Sequence, residues 1–206
     1  MPVIDPALVR WSRPEDARGD TPLLVLLHGV GSDEHDLMGL APGLPPSWAL
    51  ASPRAPLPHG PGHAWYPLST PGAPDPTAVD DAVEAVLTWL DTVAPAHGRV
   101  ALLGFSQGGS MAVQALRARP TAFEAVVSLS GFVVPGADHR DDAVAAARPR
   151  LFIGHGDRDP VIPPAATART SAWAAAHTAV TDRTYAGLGH GVATEELADV
   201  HRFLGA

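Results

Sequence analysis

The chain has 206 residues, 46% of them hydrophobic and 17% charged, enough for one domain spanning 1–206 and hardly enough for two. The formal charge is −8, all 14 basic residues are arginine, and no basic cluster occurs, which argues against nucleic acid or an anionic membrane as main partner. Cysteine is absent, which removes disulfides, a cysteine nucleophile and thiolate metal ligands.

The N-terminal stretch from Met1 to Arg18 carries prolines and acids rather than a basic segment followed by an apolar one. No secretory signal is visible, and a cytoplasmic location is expected. The apolar runs are about strand length, well short of the roughly 20 residues of a spanning helix, so stable membrane insertion is not expected.

Along the chain, strand-like and helix-like segments alternate. Leu23 to Leu27 is continuously apolar, as expected of a parallel strand buried on both faces. Trp48 to Ser52 is a weaker strand candidate. From Pro53 to Pro76 the chain is rich in proline and glycine and shows neither period, so it reads as a long ordered loop over the active site. Trp65 and Tyr66 in that loop are candidates either to line a substrate pocket or to pin the loop to the core. Asp80 to Thr92 has apolar residues at helical spacing and is closed by Pro95 and Gly98.

Val100 to Leu103 is the next strand and Ser110 to Arg117 the next helix; Ala125 to Leu129 and Leu151 to Ile153 are further strands. Pro164 to His177 is an alanine-rich helix, Val180 to Tyr185 a last strand, and Thr194 to Leu204 a terminal helix. Thr194 is the expected cap of that helix, with Glu195 and Glu196 in its first turn. The alternation predicts a mostly parallel central sheet with helices on both faces. His28, Ser106, Ser130 and His155 then fall at the carboxyl ends of strands, where chemistry gathers in such sheets.

The sharpest signal is Gly104-Phe105-Ser106-Gln107-Gly108 between the third strand and its helix. A serine on a tight strand-to-helix turn, with small neighbours, holds its hydroxyl clear of the backbone. A serine hydroxyl also needs a histidine to take its proton, and that histidine needs a carboxylate to fix its tautomer. The acid is expected from Gly156-Asp157-Arg158-Asp159-Pro160. Asp159 is preferred because it lies further into the loop, while Asp157 suits a turn-stabilising role. The base is expected at His190, within Gly189-His190-Gly191.

Two backbone donors for a developing oxyanion are expected at Gln107, directly after the serine, and at Val30, in His28-Gly29-Val30-Gly31. His28 is expected to hydrogen-bond within that loop at the border of the substrate site, rather than to act as a second base. Ser130 lacks the leading glycine of such a turn and reads as a site-lining residue.

No metal site is expected. His59 and His63 are four apart, but prolines and glycines around them preclude a helix, and His28 with His35, or His155 with Asp157, makes an incomplete ligand set. No phosphate-binding or dinucleotide glycine pattern occurs, so no cofactor is expected.

Together, His28-Gly29-Val30-Gly31, Gly104-Phe105-Ser106-Gln107-Gly108-Gly109, His155-Gly156-Asp157-Arg158-Asp159-Pro160-Val161-Ile162-Pro163 and Gly189-His190 resemble the phospholipase/carboxylesterase family, which includes the acyl-protein thioesterases. The resemblance implies a compact α/β-hydrolase fold and hydrolysis of carboxylic esters or thioesters. It supports Ser106, Asp159 and His190 as a triad, with Val30 and Gln107 as oxyanion donors, and it sets the loop around Trp65 at the acyl pocket.

The chain departs from the thioesterase branch in its Pro/Gly-rich segment, where hydrophobic acyl-binding loops belong. Between Ser130 and Arg150 there is too little sequence for a large lid domain. The expectation is therefore a small-molecule ester hydrolase for short to medium acyl chains, with acyl-thioesterase or lysophospholipase activity as the alternative. Acyl transfer to an alcohol and a non-catalytic hydrolase-fold binding protein are the further readings, and a homodimer is compatible with all of them.

Overall fold

The computed structural model describes residues 2–70, 72–136 and 138–205. Its centre is a seven-stranded sheet formed by β1 (Val9–Trp11), β2 (Leu23–Leu27), β3 (Ala49–Pro53), β6 (Val100–Phe105), β7 (Ala125–Leu129), β8 (Arg150–Gly156) and β9 (Ala179–Tyr185), in the order β1-β3-β2-β6-β7-β8-β9. All pairings are parallel except that of β1, which lies antiparallel on β3. A separate hairpin pairs β4 (Leu57–His59) with β5 (Gly62–Ala64). The α-helices among the described residues are α1 (Pro76–Val93), α2 (Gln107–Ala118), α3 (Asp141–Ala147), α4 (Pro164–His177) and α5 (Thr194–Gly205).

The strand alternation explains the layers. Leu23, Val25 and Leu27 of β2 point into one apolar cluster with α1, α2 and α4, while Leu24 and Leu26 point into a second with Leu37, Leu44, Val200 and Leu204. All five β2 side chains are fully buried, each contributing about 1.5–3 kcal/mol by leaving water. Helix α1 presents Val79, Ala82, Val83, Val86, Leu87 and Leu90 to the first cluster, the stripe expected of helical spacing. It is capped by the Asp75 carboxylate, which accepts from Thr77 N–H at 3.1 Å. Helix α2 is central: every residue from Gln107 to Arg117 is buried.

The predicted strands and helices all occur, with ends shifted by a few residues. Not foreseen were β1, the β4–β5 hairpin inside the Pro53–Pro76 segment, α3, and short 3-10 turns, the longest of them Leu37–Gly43. The terminal helix is also capped differently. Glu196, not Thr194, supplies the side-chain contact, its Oε2 accepting from Ala193 N–H at 3.3 Å. Among the described residues no lid domain covers the carboxyl edge of the sheet, and no helix is long and apolar enough to cross a membrane.

Candidate active site

Strand β6 ends at Phe105 and α2 begins at Gln107, so Ser106 alone makes the turn, with φ 55° and ψ −115°. That left-handed backbone is costly for a non-glycine residue and survives only where its surroundings enforce it. A Cβ at Gly104 would run into the Gly108 carbonyl, and one at Gly108 into the Leu27 carbonyl of β2. Only glycine at both positions lets the helix start this close to the sheet.

The turn brings together the three residues expected from separate loops. The Ser106 Oγ lies 2.9 Å from His190 Nε2, and His190 Nδ1 lies 2.7 Å from Asp159 Oδ2. Asp159 follows β8; its Oδ1 accepts from the N–H groups of Val161 at 2.7 Å and Ile162 at 3.0 Å. Burial alone would raise its pKa, but hydrogen bonds from His190 and from the Ile162 and Val161 N–H groups outweigh that and hold it below the ordinary carboxylate value. An ionised carboxylate only accepts, so Nδ1 carries the imidazole proton and Nε2 is left to accept from the serine. The Phe105 ring packs against the imidazole, 5.0 Å from it centroid to centroid. Asp157 stands apart: its Oδ1 accepts from Gly187 N–H at 2.7 Å and braces the turn after β9.

Val30 and Gln107 border the same cavity as Ser106. Neither backbone N–H has an acceptor among the described residues; that of Gln107 is one of the unpaired donors at a helix start. The Val30 loop is docked on the hairpin, since Gly31 N–H donates to the His63 carbonyl and His63 N–H to the Ser32 carbonyl, both at 2.8 Å. The Gln107 side chain stitches the next segment to the elbow. Its Oε1 accepts from Trp65 N–H and its Nε2 donates to the Tyr66 carbonyl, again both at 2.8 Å.

These contacts divide the three residues expected at the substrate site. Tyr66 borders the cavity, whereas Trp65 and His28 do not. Trp65 is buried behind it, donating from Nε1 to the His28 carbonyl at 2.8 Å, and pins the loop to the core. His28 is fully buried: its Nε2 accepts from Ala55 N–H at 3.1 Å while Nδ1 meets the Gly29 carbonyl at 2.8 Å. Burial lowers its pKa, and a neutral ring donating from Nδ1 satisfies both contacts.

Ser130 is also a correction. It is buried, with φ 48°, and its Oγ has no partner, while Phe132 two residues on reaches the cavity. His155 pairs with Thr184, its Nε2 lying 3.0 Å from Oγ1, and does not join the Ser106 centre.

The cavity holds about 280 Å³ and is walled mainly by Tyr66, Leu68, Gly72, Pro74, Phe132, Val161 and Ile162. Except for Tyr66, sequence reading missed these residues. The acid motif contained Val161 and Ile162, but only their neighbour Asp159 was read for chemistry. A wider depression of about 540 Å³ lies at the amino end of β6, by Arg99 and Glu124, and shares no residue with this site. Among the described residues no three His, Asp or Glu side chains converge as metal ligands would.

Comparison with known proteins gives the family and the fold. The acyl-protein thioesterase 1 of Kluyveromyces lactis is 24% identical over 208 residues, covering 88% of this chain and 90% of that one. Among solved structures, a carboxylesterase from Mesorhizobium loti superposes with a TM-score of 0.81 at 22% identity over 99% of this chain and 98% of its own. The esterase PE8 gives a TM-score of 0.78 at 26% identity, covering 95% of this chain and 96% of its own. The central sheet matches the α/β-hydrolase fold of these neighbours. Residues 14–206, nearly the whole chain, match the phospholipase/carboxylesterase family, and the chain belongs to that family.

Proposed function

We propose that residues 1–206 form one α/β-hydrolase domain acting as a serine carboxylic-ester hydrolase on short to medium acyl esters. The observation that carries the reading is the unbroken Ser106–His190–Asp159 hydrogen-bond chain, opening into an apolar cavity beside two unpaired backbone donors.

In this mechanism Ser106 Oγ attacks the ester carbonyl carbon while its proton passes to His190 Nε2. The carbonyl oxygen becomes an oxyanion and accepts from Val30 and Gln107 N–H. Collapse of the intermediate breaks the bond to the alkoxy oxygen, and His190 returns the proton to the departing alcohol. Water, giving a proton to His190, then attacks the acyl carbonyl carbon; the bond to Ser106 Oγ breaks, Oγ takes the proton back from His190, and the acid leaves. Asp159 stays ionised throughout and stabilises the imidazolium.

The acyl-chain preference follows from volume. A cavity near 280 Å³ lies just below the roughly 300–1,000 Å³ of drug-sized ligand pockets, which suits a short or medium acyl chain better than a palmitoyl chain. Initial rates on p-nitrophenyl acetate, butyrate, octanoate and palmitate test the proposal. The expected profile peaks at butyrate or octanoate and vanishes in Ser106→Ala; a peak at palmitate contradicts it.

Thioester hydrolysis is the second reading, favoured by the thioesterase relative. Its site chemistry is the same, with a thiol leaving. Matched octanoyl ester and thioester substrates distinguish the two by kcat/KM.

A further inference from the structure

Two loops wall the cavity on the side facing α4, and neither has regular structure. One is the strap carrying Leu68, Ser69, Thr70, Gly72 and Pro74; the other runs from Phe132 to Val134 after β7. Loops of this kind hold their shape only where their backbone groups find partners, and here adjacent residues of α4 supply them. The Arg169 guanidinium donates through Nη2 to the Gly72 carbonyl at 2.6 Å and to the Val133 carbonyl at 3.4 Å. Thr170 Oγ1 accepts from Val133 N–H at 2.8 Å and donates to the Ala166 carbonyl at 2.8 Å.

The strap is also pressed close to the helix. Gly72 has φ +73°, and a Cβ there would meet the Ala166 side chain at 2.8 Å.

Arg169 is unusual in its partners. No carboxylate pairs with it among the described residues, and its buried Nε has no acceptor. A half-buried arginine whose charge meets only main-chain carbonyls is not there for an ion pair. Its single Nη2 instead links the strap to the Val133 loop, a hydrogen-bonded join that no other side chain makes among the described residues.

We propose that Arg169 is a specificity-determining positioning residue: by tying the Gly72 strap and the Val133 loop to α4, it sets the length of acyl chain that the cavity accepts. The inference rests on the esterase reading of the Ser106 site. Releasing the strap lets the cavity lengthen, so longer chains gain relative to shorter ones.

Two measurements test this on the full chain. The first is the ratio of kcat/KM for p-nitrophenyl laurate to that for p-nitrophenyl butyrate, in wild type, Arg169→Ala and Arg169→Lys. The ratio rises about tenfold in Arg169→Ala, the scale on which apolar pockets discriminate one or two methylenes. It falls between wild type and Arg169→Ala in Arg169→Lys, which keeps a donor but not the planar fork. A merely structural arginine lowers both rates together and leaves the ratio unchanged, which overturns the proposal.

The second is hydrogen exchange of the Ala73 amide, which donates to the Thr70 carbonyl at 3.0 Å within the strap, a measurement that needs no turnover. Exchange there accelerates in Arg169→Ala while the β2 and β6 amides stay protected; equal exchange at the strap overturns the proposal. A wild type that hydrolyses no ester defeats the esterase reading instead, and the exchange result still decides whether Arg169 holds the strap.

Discussion

Replacing Asp159 with asparagine separates geometry from charge. Its Oδ1 accepts two backbone N–H groups, from Val161 and Ile162, and its Oδ2 accepts from His190 Nδ1. An amide keeps the first pair of contacts with its oxygen and so preserves the loop. Its NH2 group then faces Nδ1, which must become an acceptor, and the imidazole proton moves to Nε2. In that tautomer Nε2 no longer accepts from Ser106 Oγ, now 2.9 Å away. A wrong tautomer in an otherwise intact triad lowers kcat by about 10⁴-fold, or about 5.5 kcal/mol of transition-state stabilisation. Asp157→Asn serves as the control: its one contact, from Gly187 N–H, is kept by the amide oxygen, and kcat stays within about twofold, an exposed hydrogen bond of this kind being worth about 0.5 kcal/mol. Steady-state kinetics on p-nitrophenyl butyrate, with thermal melts of both variants, read the result. The reasoning is refuted if Asp157→Asn is the more impaired variant, or if a folded Asp159→Asn keeps most of its activity.

Other changes have equally definite outcomes. Gln107→Ala keeps the backbone donor but leaves the buried Trp65 N–H and Tyr66 carbonyl unpartnered, at about 1–3 kcal/mol each; the melting temperature drops, and an unchanged melt contradicts the clamp. Burial, foremost, holds the Glu196 carboxyl up at about 7 against its ordinary 4.5. Between those values the folded chain keeps a proton that the unfolded chain has lost, so this group's contribution to stability falls as pH rises from about 4.5 to about 7. Glu196→Gln removes that slope, which denaturant titrations across the interval detect; an identical pH dependence in the two proteins counts against it.

The sequence made some of this visible and hid the rest for physical reasons. The elbow is legible because Gly104 and Gly108 exclude any side chain on contact with backbone carbonyls. The core strands are legible because they are buried on both faces: β2 leaves an unbroken apolar run and β7 one interrupted only by Ser128, while Ser52 makes β3 fainter. Strands β1, β4 and β5 have three residues each, too few for an alternation to register. Direction is what composition does not encode in irregular segments. Trp65 and Tyr66 are neighbours of similar chemistry, yet one is buried beneath the elbow and the other borders the cavity. His28 and His190 are each next to a glycine, and only their hydrogen-bond partners separate a structural ring from one that meets Ser106. Arg169 lies on an alanine-rich helix and carries no motif; its role depends on carbonyls that are remote in sequence.

The central claim is that Ser106 is an activated nucleophile. Intact-mass analysis after treatment with a small fluorophosphonate, on wild type and on Ser106→Ala, tests it most directly. The account predicts one phosphonyl adduct per wild-type chain and none in the variant. A folded wild type that takes up no adduct, or a variant that is still labelled, contradicts it.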